Sequence, residues 1–253
     1  MERKELKFIV GPCVIENAEL LDVVAKELVR LKEKHKVSFI FKASFDKANR
    51  TSVGSFRGPG IVKGISMLEA VREKYGLPIT TDFHTPEQIR DYGDRVDIIQ
   101  IPAFLCRQTD LLVEAGRTGK IVNIKKAQFL NAEKMKFAVE KVQSTGNDRI
   151  WLTERGTLFG PNELVVDFRN IQKLGKLTDE VVMDCTHSAQ ETQSNLGTTG
   201  GNRAYVPFLA KTAKLWGANI FFIETHPNPD QGLSDGPNML KLGDLENLIL
   251  ELL

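Results

Sequence analysis

Short apolar runs recur along this chain at intervals that leave room for one helix between neighbours. They are Phe8-Ile9-Val10, Phe39-Ile40-Phe41, Pro78 to His84, Ile98 to Pro102, Ile121 to Lys126, Ile150 to Arg155, Val181 to His187 and Ile220 to His226. Brief runs with little polar alternation are strands covered on both faces, as in parallel sheets. The segments between them carry apolar residues at helical spacing. Asn17 caps a helix with Leu21, Val24, Leu28 and Leu31 on one face, Gly58 to Tyr75 forms a second with Ile61, Ile65, Leu68 and Val71, and Pro86 sits at the start of a third. Further helices are expected over Asp110 to Arg117, Asn131 to Val142 and Arg203 to Trp216, and from Leu240 onward through Leu245, Leu248, Ile249 and Leu252. Eight βα units predict a closed (β/α)8 TIM barrel occupying residues 1–253 as a single domain. The open, doubly wound sheet is the alternative, and it is weakened because no strand is followed by Gly-x-Gly-x-x-Gly.

Composition changes this picture little. At 253 residues and 42% hydrophobic the chain can bury one large core. With 34 basic against 33 acidic side chains, no global field favours nucleic acid or an anionic membrane, so any anion site must be local. Met1-Glu2-Arg3-Lys4-Glu5 lacks the apolar core of a secretion signal, and no transmembrane length follows, so a cytoplasmic location is expected. Cys13, Cys106 and Cys185 are too few and too scattered for a disulfide framework and are expected to be free.

The candidate chemistry lies where the strands end. Cys13, Lys42, Asp82 with His84, Gln100, Lys125 with Lys126, Glu154 with Arg155, Asp184 with His187, and Glu224 with His226 each close an apolar run. A barrel gathers such ends on one face. The plain alternative is that polar residues follow strands because loops are exposed, which suits Lys125, Arg155 and Glu224 poorly, since they sit within or directly after apolar runs. After the second run, Lys42, Lys47, Asn49, Arg50 and Thr51 read as an anion-binding loop or, more plainly, a solvated basic one. Lys42, Lys47, Arg50, Lys125 and Arg155 provide cations for two anionic groups. Cys13, His187, Glu224 and Asp235 match the donor set of a catalytic divalent ion, although their spacing has no local signature. Gly197 to Gly201 is either a lid or an irregular loop.

Several longer motifs now matter: Gly11-Pro12-Cys13, Phe41 to Thr51, Gln100-Ile101-Pro102-Ala103-Phe104-Leu105-Cys106-Arg107-Gln108-Thr109-Asp110, Thr153-Glu154-Arg155-Gly156, Asp184-Cys185-Thr186-His187-Ser188 and Glu224-Thr225-His226-Pro227. Together they resemble the 3-deoxy-D-manno-octulosonate 8-phosphate synthase family over nearly the whole chain. The resemblance implies a cytoplasmic homotetrameric barrel that condenses phosphoenolpyruvate with arabinose 5-phosphate on the way to the Kdo sugar of lipopolysaccharide. Related 3-deoxy-heptulosonate 7-phosphate synthases, which use erythrose 4-phosphate, typically carry Lys-Pro-Arg-Thr where this chain has Lys47-Ala48-Asn49-Arg50-Thr51. A barrel that only binds sugar phosphates is the non-enzymatic alternative. By resemblance, Cys13, His187, Glu224 and Asp235 hold a divalent ion (iron, manganese, zinc, cobalt or cadmium), since metal-independent members carry Asn at the position of Cys13. Lys42, Lys47, Lys125 and Arg155, with Gln100 nearby, would hold phosphoenolpyruvate. Asn49, Arg50 and Thr51 would meet the sugar phosphate, joined by Arg107 from a neighbouring subunit. Asp82, His84, His187 and Lys47 are the candidates for proton transfer or orientation. Cys185 departs from the more usual Ala.

Overall fold

The computed structural model describes residues 5–50, 52–158, 164–191 and 200–253. Eight parallel strands form the predicted barrel: β1 Lys7–Gly11, β2 Ser38–Lys42, β3 Ile79–Asp82, β4 Ile98–Ile101, β5 Ile121–Lys125, β6 Ile150–Glu154, β7 Glu180–Asp184 and β8 Ile220–His226. Each pairs with the next, and β8 returns to β1 with Lys7 opposite Ile220 and Gly11 opposite Glu224, which closes the sheet. The open-sheet alternative is thereby excluded.

Strand geometry sends alternate side chains to opposite faces, and the packing shows which go where. Ile9, Ile40, Ile98, Trp151, Val182, Ile220 and Phe222 form one cluster inside the barrel, with Ile121 against it. Their neighbours Phe8, Val10, Phe39, Phe41, Ile99, Ile101, Val122, Ile124, Leu152, Met183 and Phe221 belong to a second, larger cluster between strands and helices. Stepping by twos from the inner cluster along each strand leads to Gly11, Lys42, Gln100, Lys125, Arg155, Asp184 and Glu224. On β3, Ile79 packs outward, so Asp82 completes the ring. The same parity sends Lys126, Glu154 and Cys185 outward.

Eight helices cover the barrel: α1 Ala18–His35, α2 Ile61–Tyr75, α3 Pro86–Tyr92, α4 Thr109–Arg117, α5 Lys136–Gln143, α6 Arg169–Leu174, α7 Val206–Leu215 and α8 Leu245–Leu252. Asn17 caps α1 by accepting from the Leu20 amide at 2.8 Å, and Leu21, Val24, Leu28 and Leu31 are buried as the periodicity predicts. Each such side chain contributes roughly 1.5–3 kcal/mol on full burial. Four helix starts lie three residues or more from the sequence reading. α2 begins at Ile61 rather than Gly58, because Gly58 (φ 118°) and Gly60 (φ 82°) adopt left-handed backbone. Residues Ala132–Met135 and Arg203–Tyr205 are 3-10 turns ahead of α5 and α7. Leu240–Lys241 is a strand beside Thr225 and His226 of β8, and the last helix starts only at Leu245. α6, six residues long, follows no predicted segment.

One close approach fixes the mouth of the barrel. A Cβ at Gly11 would lie 1.9 Å from the Lys42 carbonyl oxygen, so β1 and β2 can meet there only with glycine. Among the described residues no helix is long and apolar enough to cross a membrane.

Candidate active site

Four of the inward strand ends, Lys42, Asp82, Lys125 and Arg155, line two adjoining cavities. The inner one, about 210 Å³, is lined by residues including Lys42, Asp82, His84 and Lys125. The outer one, about 530 Å³, takes in Arg50, Ser55, Gln190 and Asp235. Lys47, Asn49, Phe104, Gln128, Arg155 and His187 border both.

The loop after β2 is buried at one end and open at the other. Lys42 and Lys47 are 1% and 9% exposed, whereas Asn49 is exposed and Arg50 half-buried. The solvated-loop alternative therefore fails for the two lysines. Lys42 Nζ donates to Glu224 Oε1 at 2.8 Å and to the Cys13 carbonyl at 3.1 Å, while Lys47 Nζ lies 3.8 Å from Glu224 Oε1. Burial opposes the charge on Lys47, yet Cys13, Glu224 and Asp82 outweigh it and raise its pKa. Arg50 reaches across the mouth and donates to Ser234 Oγ at 2.7 Å and to the Leu233 carbonyl at 3.0 Å. Thr51 lies outside the described residues, as do Gly197 to Thr199. Gly200–Gly201 pairs with Gln190–Glu191 as a short antiparallel strand.

On the opposite wall, Lys125 Nζ donates to Asp184 Oδ2 at 2.7 Å and sits 3.6 Å from the centre of the Phe222 ring. Burial lowers its pKa, against the pull of Asp184. Arg155 Nη2 donates to Gln190 Oε1 at 2.9 Å, and its buried Nη1 has no partner among the described residues. Burial holds the Arg155 pKa down as well. An unpaired, desolvated guanidinium N–H is costly and poised for an anion.

Asp82 accepts from Ser44 Oγ at 2.5 Å and from Gln100 Nε2, and Asn123 donates to Gln100 Oε1 at 3.3 Å. Burial pushes Asp82 up, but Lys42, Lys47 and Lys125 prevail and hold it well below the ordinary carboxylate range. Gln100 is fully buried and lines neither cavity, so it acts on the site by orienting Asp82. His84 faces the inner cavity, with burial lowering its pKa and its Nδ1 unpartnered among the described residues.

Cys13, Glu224 and Asp235 place their donor atoms within 4.8 Å of one another. His187 Nε2 lies 3.6 Å from Glu224 Oε2 and 3.8 Å from Asp235 Oδ2. Ligands bound at about 2.1 Å from a shared ion stand roughly 3–4 Å apart, so these spacings suit one ion. Two further observations fit it. Glu224 Oε2 is buried without a hydrogen-bond partner among the described residues. The His187 ring donates from Nδ1 to Asp184 Oδ2 at 2.8 Å, which turns the Nε2 lone pair toward the cluster. Asp235 itself has φ 48°, a left-handed conformation that Asp tolerates better than most residues. Burial, aided by Glu224, raises the Cys13 thiol pKa. Glu224 is driven up by burial and more strongly down by Lys42 and His187, so it stays ionised.

Some expected residues lie elsewhere. Arg107 is exposed and lines neither cavity of its own chain. Lys126 and Glu154, both 0% exposed, pair with each other at 3.4 Å behind the barrel wall. His226 accepts from the Asn228 amide at 2.9 Å and helps turn the loop after β8. Sequence reasoning gave no role to Asp184, whose carboxylate holds both Lys125 and His187. Its signal is present, a strand-terminal Asp three residues before a His. Gln128, uncharged and in a loop, carries no such signal.

The fold and site define a (β/α)8 barrel that presents buried cations to anionic ligands beside a metal-type donor cluster. Residues 2–252 match the DAHP synthetase I family, and the chain belongs to that family. It is 50% identical over 248 residues to the 2-dehydro-3-deoxyphosphooctonate aldolase of Desulfatibacillum aliphaticivorans, covering 98% of this chain and 91% of that protein. Proteins of the same name from Syntrophotalea carbinolica (97% and 88% covered) and Synechococcus sp. (96% and 86% covered) are each 49% identical. The family resemblance drawn from the motifs holds.

Proposed function

We propose that this chain condenses phosphoenolpyruvate with D-arabinose 5-phosphate and water, giving 3-deoxy-D-manno-octulosonate 8-phosphate and inorganic phosphate. The observation that carries the reading, beside the name of its relatives, is the pair of adjoining cavities. The inner one, with Lys42, Lys47, Lys125 and Arg155, suits the carboxylate and phosphate of phosphoenolpyruvate. The outer one, with Asn49 and Arg50, suits the second phosphate.

In the reaction C3 of phosphoenolpyruvate bonds to the aldehyde carbon of the sugar, a water oxygen bonds to C2, and the C2–O bond to phosphate breaks. Three anionic groups must share the pocket, so fixed cations neutralise and orient them. Lys42, Lys47, Lys125 and Arg155 are matched one for one by Asp82, Asp184, Glu224 and Asp235. Surplus positive charge must come from Arg50 and from a divalent ion at Cys13, His187, Glu224 and Asp235. Such an ion supplies Lewis acidity and lowers the pKa of water. Asp82, held ionised, and His84, with a free Nδ1, are placed to hold or move a proton at the inner cavity. Lys47, between the two cavities, orients both substrates. Thr51 is assigned to the sugar phosphate on the family resemblance alone.

The homotetramer also belongs to this proposal, with the exposed Arg107 of one subunit reaching the outer cavity of the next, in the cytoplasm on the route to Kdo. Sedimentation velocity tests it, since a monomer would remove Arg107 from the site. The activity is tested by inorganic phosphate release from phosphoenolpyruvate with arabinose 5-phosphate or erythrose 4-phosphate, before and after exhaustive chelation. Release with the pentose alone, lost on chelation and restored by a divalent ion, is expected. Preference for the tetrose, turnover without metal, or no release at all would overturn the corresponding part of the reading.

A further inference from the structure

Gln128 stands apart from every residue used so far. It follows β5, its backbone is pinned by the Leu158 amide donating to its carbonyl at 3.0 Å, and it is 9% exposed. Among the described residues its buried side-chain Oε1 has no hydrogen-bond partner, yet the residue borders both cavities. A buried amide oxygen left unpaired is costly, so the position is poised for a donor that arrives with a ligand.

The chemistry of the two substrates decides which ligand that is. Phosphoenolpyruvate at neutral pH offers acceptor oxygens and no hydroxyl. A sugar phosphate stretched from the Arg50 end of the outer cavity to the inner cavity must pass the shared border with its carbon chain, where the hydroxyls are. Rotated by 180°, the same carboxamide would donate to a hydroxyl oxygen, so either orientation meets a hydroxyl. Only the rotated form would suit phosphoenolpyruvate.

We infer that Gln128 is a specificity-determining residue that hydrogen-bonds a mid-chain hydroxyl of the sugar phosphate. The inference rests on the proposed condensation and adds to it a reader of sugar hydroxylation distinct from the cations that hold the phosphates. A site that bonds a substrate hydroxyl discriminates against analogues lacking it, because its buried polar atom is then stranded again.

The test is a cycle between enzyme and substrate. Gln128→Leu and Gln128→Met are assayed with arabinose 5-phosphate and with its 2-, 3- and 4-deoxy analogues, and their melting temperatures are followed. Gln128 donates no side-chain hydrogen bond within the described residues, so the variants should melt as the parent does. With arabinose 5-phosphate, kcat/KM should fall by about tenfold to a hundredfold, with the KM of phosphoenolpyruvate unchanged. With one deoxy analogue the same substitution should cost almost nothing, which identifies the hydroxyl. An equal loss with every sugar, or a raised KM for phosphoenolpyruvate, overturns the inference. Parent enzyme that releases no phosphate from the pentose overturns the proposed condensation instead, so the two failures are distinguishable.

Discussion

Lys125 and Lys126 are adjacent in sequence, almost equally buried and each paired with a carboxylate, yet they belong to different kinds of structure. Lys126 Nζ, behind the barrel wall, donates to the carbonyls of Ala127, Leu130 and Gly156 at 3.0–3.3 Å and to Thr157 Oγ1 at 3.2 Å, beside Glu154. Glu154 in turn accepts from the Gly156 amide at 2.7 Å and from Asn170 at 2.9 Å. Lys125, inside the barrel, has Asp184 and the face of Phe222 and opens onto a cavity. Burial and charge are common to both. What separates them is spare hydrogen-bonding capacity, and the unpaired atoms of Arg155, Glu224, His84 and Gln128 border or underlie the same space.

Four experiments can break or sharpen that contrast. The largest effect is expected from Lys125→Met, which should lower kcat/KM by about 10³-fold or more with a smaller loss of stability than Lys126→Met, because Asp184 keeps its hydrogen bonds from His187. Near-parental activity would erase the distinction. Lys126→Met should do the reverse, costing about 3 kcal/mol of stability in denaturant titrations by stranding Glu154, with the kcat of the folded enzyme unchanged. Adding Glu154→Gln should recover part of the loss, and a stable but inactive Lys126→Met would mean the outward network takes part in the chemistry. Next, Arg50→Ala should raise the sugar-phosphate KM about tenfold, roughly 1.4 kcal/mol, without changing that of phosphoenolpyruvate. Equal changes in both would merge the two cavities into one site. The smallest effect concerns acid. Asp82, Asp184 and Glu224 are held below their ordinary values despite burial, by Lys42, Lys125, His187 and their neighbours. The unfolded chain therefore binds more protons below about pH 4.5. Stability should be full above that pH and fall as the pH drops through the carboxylate range. In Lys125→Met, where Asp184 loses a cation and its folded pKa moves back toward the ordinary value, the fall should be shallower and end at a higher pH.

Much of this architecture is legible in the chain because β and α periodicities differ and the strands end in polar residues. The sequence could not say which of two adjacent polar residues faces inward, since strands of a parallel barrel are apolar on both faces. Parity resolves the pairs once one inner residue per strand is known: Lys125 shares it with Ile121 and Asn123, and Lys126 does not. Short turns such as Arg203–Tyr205 and the six-residue α6 are set by tertiary packing and leave little periodicity to read. Asp184 was read only as a strand end without a role, and Gln128 escaped notice, because orienting a ligand or exposing one amide oxygen is a property of position, not of residue type.

Gly11 lines neither cavity, yet any side chain there collides with the Lys42 backbone. In a saturation mutagenesis screen scored by growth or turnover, it should rank beside Lys42 and Glu224 in intolerance. Only a parallel readout of protein abundance and substrate affinity would tell a residue that shapes the mouth from those that work inside it.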